Sequence, residues 1–138
     1  MKDSDANDYE GGKSQNDFPL QLPCVKGLDV NEGVRRLANR WDFYERMVSR
    51  FCFENRDFIK RLKFELGAGN QETAARMLHS LKGIAGTMSA SILYQTAIEA
   101  ELAYKANSDD FASLLLLLEN QMNDLLTGVA SNSYFSFR

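Results

Sequence analysis

The chain has 138 residues, 44% of them apolar and 25% charged, with a formal net charge of −3. That length and balance describe one ordinary soluble domain, able to bury about two-thirds of its unfolded surface in a single core. The longest unbroken aliphatic run is Leu114–Leu118, far short of the roughly 20 residues a spanning helix needs, so no membrane contact is expected. The N-terminus lacks the basic-then-apolar pattern of a signal peptide. Cys24 and Cys52 make neither a disulfide framework nor a metal site, and a reducing, cytoplasmic setting follows. An acidic isoelectric point near 5.2 argues against nucleic acid as a partner.

Residues 1–17 hold seven charges and almost nothing apolar, which reads as a disordered tail or linker. Phe18, Leu20 and Leu22 begin an extended lead-in between Pro19 and Pro23, the only two prolines. Beyond them Leu and Ala number 30 over the whole chain, against 13 for Val, Ile and Thr, and no stretch alternates with period two. The expectation is an all-α domain over residues 18–128, with a C-terminal tail over 129–138 whose aromatics can pack locally.

Asp29 with Glu32 resembles a capping box and opens a short first helix through Val34 and Leu37. A second helix carries Tyr44, Met47, Val48 and Phe51, and its aromatics and Trp41 are assigned to the core. A third carries Phe58, Ile59, Leu62 and Leu66 and stops at Gly67-Ala68-Gly69. Asn70 is the expected N-cap of a fourth helix running to about Met88. Leu93, Thr96, Ala97, Ala100 and Tyr104 define a fifth. Ser108 is the expected cap of a sixth, with Asp109 and Asp110 in its first turn and Phe111, Leu114, Leu115, Leu118, Met122 and Leu125 along its apolar stripe. Short connections imply an antiparallel up-down bundle with a four-helix core and a short additional N-terminal helix.

The fourth helix carries the chemistry. With His79 at zero and about 100° per residue, Ala74, Met77, Leu78, Leu81, Ile84, Ala85 and Met88 fall in one opposite arc. His79, the single histidine, therefore faces solvent. Ala75, Gly83 and Gly86 lie within roughly 40° of it, and Lys82 and Arg76 flank it at about 60°. Two glycines inside a helix cost about 1 kcal/mol each relative to alanine, which suggests that the small face serves a close approach by another molecule. A neutral imidazole accepts a phosphoryl group, and phosphoryl transfer asks mainly for alignment and charge neutralisation, which Lys82 can supply. The alternative is an exposed histidine on a helical interaction module that carries no phosphate.

The run His79-Ser80-Leu81-Lys82-Gly83-Ile84-Ala85-Gly86 resembles the signature of histidine-phosphotransfer (HPt) domains, as does the lead-in from Gly27-Leu28-Asp29 and Gly33 through Leu37, with Tyr44 and Phe51 following. The resemblance covers roughly residues 22–128. It implies a phosphocarrier in a multistep phosphorelay of two-component signal transduction. The histidine takes a phosphoryl group from an aspartyl phosphate on one receiver domain and passes it to another, in response regulators or hybrid sensor kinases. His79 then matches the phosphoacceptor, Lys82 the residue stabilising the phosphate, and Ala75, Arg76, Gly83 and Gly86 a partner-docking surface. A polar side chain on the next helix near the second imidazole nitrogen is also implied, and Glu101 is the residue named for it. No cofactor is expected on this domain, since Mg²⁺ belongs to the receiver, and neither an ATP site nor a catalytic constellation of its own is readable. The chain could equally be a fragment of a hybrid sensor histidine kinase. One departure from the pattern is Ser89-Ala90, where the family often has Gly-Ala. Serine there is expected to cap the fifth helix.

Overall fold

A computed structural model describes residues 21–137; the N-terminal tail assigned to 1–17, with Phe18 and Leu20, lies outside them. Six helices and no strand occur among the described residues: α1 (Val30–Arg36), α2 (Trp41–Glu54), α3 (Phe58–Gly67), α4 (Gln71–Thr87), α5 (Ser91–Lys105) and α6 (Phe111–Ala130). The helices pack as α3 with α4, α4 with α5, α5 with α6, and α2 with both α6 and the short α1. A ring closes in this way, one wall of it made of α2 and α3 in succession. Asn55 breaks that wall, its side-chain amide donating to the Phe51 carbonyl at 2.9 Å and so ending α2.

The apolar stripes meet in one core. Tyr44, Val48, Cys52, Leu62, Leu78, Ala85, Met88, Leu118 and Met122 are all essentially solvent-free. Of the α2 aromatics assigned to the core, Trp41, Tyr44 and Phe51 are buried, whereas Phe43 and Phe53 stand on the outer face. Burial raises the Cys52 thiol pKa to about 12, so it stays protonated and unreactive at neutral pH. Leu118 of the leucine run is in the core, but Leu116 and Leu117 are exposed.

The C-terminal end of α4 is tied down three times. The Tyr44 hydroxyl donates to the Met88 carbonyl at 2.8 Å. The Arg36 guanidinium of α1 donates to the Gly86 carbonyl at 3.1 Å and to Ser89 Oγ at 3.2 Å, placing a cation where the helix exposes its last carbonyls. The Asp29 amide donates to the Ser89 carbonyl. Asp29 Oδ1 in turn accepts from the Glu32 amide at 3.2 Å, which is the N-cap half of the anticipated box. Gly33 permits the close approach, because a Cβ there would overlap the Tyr44 ring.

Four details differ from expectation. The stretch from 129 to 137 is not a tail: α6 continues to Ala130, Val129 is solvent-free, and Phe135 packs on Trp41 with ring centroids 5.3 Å apart. Apolar residues beyond the helix end found a groove over α2, and Glu45 Oε2 fastens them by accepting from the Ser136 amide and hydroxyl. Ser89 does not cap α5; it takes the left-handed conformation at φ 59°, leaving Ala90 at the cap. The turn thus keeps the backbone shape a glycine would favour. Asn70 occupies the N-cap of α4, but its side chain donates to Glu65 instead of capping. At α6 the cap is Asp110, and Ser108 Oγ accepts from the Asp110 amide just outside the helix, so neither aspartate lies in the first turn.

Candidate functional site

With α4 anchored at its C-terminal end, the middle of that helix presents His79 outward, its side chain 66% exposed. The imidazole is not free. Nδ1 lies 3.1 Å from Oε2 of Glu101, which α5 supplies from the neighbouring wall. No protein group among the described residues hydrogen-bonds Nε2.

Glu101 is the unusual residue, a carboxylate 4% exposed between two packed helices. Burial alone would raise its pKa, but hydrogen bonds from Lys105, Lys82 and His79 outweigh burial and hold it at about 2. Lys82 Nζ lies 2.9 Å from Oε1, and Lys105 Nζ lies 2.9 Å from Oε2. Both carboxylate oxygens are therefore engaged, Oε2 by an ammonium and the imidazole together. An ionised Glu101 can only accept, so the shared hydrogen sits on Nδ1 and the lone pair on Nε2.

Lys82 thus lies beside the ring, but its ammonium is anchored on Glu101 and only its remaining hydrogens can turn to a group on Nε2. Lys105 was not singled out from the sequence. Its spacing of four residues after Glu101 on one helix was the available signal.

The ground around His79 is uneven. Gly83 is open: a Cβ there would meet nothing within 4 Å. It borders a shallow recess of about 540 Å³ that Lys82, Arg36 and Tyr94 also line. Gly86 differs from its expected place on an open docking face. The Tyr94 ring of α5 covers it, so that a Cβ would lie 3.1 Å from the ring edge. Helix phase places Gly86 on the outer side, yet α5 crosses there, and the missing side chain makes room for that helix. Ala75 is half-buried toward α5, while Arg76 is exposed on the opposite flank of His79.

No helix among the described residues is long and apolar enough to cross a membrane, and no cluster of three or more metal-type ligands occurs among them. No curated protein and no solved structure matches the chain. A family model for the Hpt domain does match, over residues 46–128, a stretch that includes His79, Lys82, Glu101 and Lys105. With more than half of its length matched, the chain belongs to the Hpt domain family, whose members carry phosphoryl groups on histidine in two-component signalling.

Proposed function

We propose that His79 is the phosphoacceptor, and that it takes its phosphoryl group on Nε2 from a receiver-domain aspartyl phosphate and returns it to a second receiver. The observation that carries this reading is the single exposed imidazole with Nδ1 on a buried, ionised carboxylate and Nε2 unengaged.

The chemistry follows from that arrangement. The Nε2 lone pair attacks phosphorus in line with the acyl oxygen. The N–P bond forms, the P–O bond to the aspartate breaks, and the leaving carboxylate keeps the electron pair. The ring gains positive charge as it acts, since Nδ1 retains its hydrogen. Glu101 faces that hydrogen and stabilises the cationic ring, and the contact fixes the tautomer that leaves Nε2 nucleophilic. Lys82 neutralises part of the Glu101 charge and offers its spare hydrogens to the incoming phosphoryl oxygens. Gly83 and Ala75 keep the approach low, and Arg76 supplies a cation at the edge. Mg²⁺ and the remaining catalytic groups come from the receiver, in the cytoplasm.

The test is incubation with a phosphorylated receiver. The chain should acquire an acid-labile, base-stable label, and His79→Gln should abolish it. Equal labelling of the variant overturns the assignment. Receiver binding without any label would make this a docking module.

A further inference from the structure

On the Arg76 flank of His79 a groove of about 660 Å³ runs between α4 and the α2–α3 wall. Its floor is apolar, made by Met47, Phe51, Phe58, Met77, Leu81 and Ile84, and its rim carries Arg50, Arg61 and Arg76 against one acid, Glu54. Glu54 is paired with Arg50 at 3.0 Å, and Arg61 with Asp57 at 3.1 Å. Arg76, three residues from His79, makes no ion pair among the described residues. A neighbouring recess shares Met47 and Arg50 and adds Arg46 and the exposed Phe53. The face as a whole is cationic with apolar ground beneath, and its ligand should be an extended segment that is acidic with scattered large apolar side chains.

The same chain contains one. Residues 1–20 hold five acids against two lysines, whereas residues 21–138 hold fourteen of each sign. The entire formal charge of −3 therefore sits in the first twenty residues, interspersed with Tyr9, Phe18 and Leu20. The geometry points to an intramolecular ligand: residues 1–20 dock in the Arg50–Arg61–Arg76 groove beside His79. Twenty residues reach up to about 70 Å when extended, so length does not forbid it. Tethering supplies an effective concentration of about 1 mM, so even a weak contact would be substantially occupied. Occupancy covers Arg76, three residues from His79 on the same helix.

The test uses the full chain with methyl-labelled Met and Ile. Tyr9→Cys in a Cys24→Ser background takes a nitroxide, the Cys52 thiol being buried. The Met47, Met77 and Ile84 methyl signals should broaden several-fold more than those of Met122 in the core and the exposed Ile92 at the start of α5. Replacing Asp3, Asp5, Asp8, Glu10 and Asp17 by their amides should remove the difference, as should about 0.5 M NaCl through screening. Arg50→Ala with Arg76→Ala should weaken it at least twofold. Uniform broadening, or broadening centred on the exposed leucines of α6, overturns the proposal. So does broadening seen only between separately labelled chains, which would assign the groove to a second copy. None of these measurements uses a phosphoryl donor, so their failure leaves the assignment of His79 untouched.

Discussion

Two buried polar groups hold α4, and they are satisfied in opposite ways. At its C-terminal end the Tyr44 hydroxyl donates to one backbone carbonyl inside a dry corner closed by Gly33, Trp41 and Met88. Burial and then the nearby Asp29 charge push that phenol upward, so it stays neutral at every relevant pH. At the middle of α4, Glu101 of α5 is nearly as buried but is charged, and three side chains on two helices compensate it. The Tyr44 corner asks only for shape. The Glu101 corner keeps one of its partners, His79, exposed to solvent, and that partner can react. A hydrogen bond to backbone fixes a fold, whereas a buried charge shared among side chains also sets the protonation state of an exposed group.

That contrast can be broken most sharply at Glu101. Glu101→Gln keeps the volume but removes the charge, and a hydrogen bond to a charged group is worth about 1.5–3 kcal/mol, so phosphoryl transfer should slow by about 10- to 100-fold. Time courses of labelling by a phosphorylated receiver, with circular dichroism as a check on folding, decide it; an unchanged rate would remove Glu101 from the chemistry. The same carboxylate should govern acid stability. Its pKa in the fold, about 2, lies below the ordinary 4.5, so its contribution is complete above pH 4.5 and is lost as pH falls toward 2. Urea unfolding at pH 5 and pH 2 should show the native chain losing on the order of 3 kcal/mol more than Glu101→Gln.

The Tyr44 corner should respond in stability alone. Gly33→Ala forces a methyl against a ring that has no room to move and should cost about 1–3 kcal/mol, with transfer unchanged while the domain is folded. Thermal melts and labelling rates on one preparation separate the two readouts. The smallest effect sharpens the picture of the open face. Gly83→Ala should stabilise the helix by up to about 1 kcal/mol, since the added methyl meets nothing, yet slow transfer by crowding the partner. Gly86→Ala should gain less, because Tyr94 must first yield. Equal gains at both glycines would show that the ring over Gly86 gives way freely.

Much of the scaffold was readable from periodicity. The apolar arc of α4 follows from spacing, and so does the outward direction of His79, because a straight helix fixes the phase of every side chain once one face is buried. Asp29 at a helix start was readable for the same local reason. Contacts between elements were not. Nothing in the spacing of Gly86 shows that Tyr94 crosses over it, and nothing near Phe135 shows that a groove on α2 receives it. Glu101 beside the imidazole was named through family resemblance, whereas Lys105, which completes its neutralisation, was passed over.

Residue order alone specifies a helical chain with one histidine on an exposed, small-residue face and a lysine one turn away. Those are consequences of local geometry and apolar patterning. The packing of α5 on α4 is what leaves a carboxylate from another helix buried, ionised and shared by the imidazole and two ammonium groups. Its protonation depends on desolvation and on distances across the α4–α5 interface, and neither quantity exists until the two helices pack.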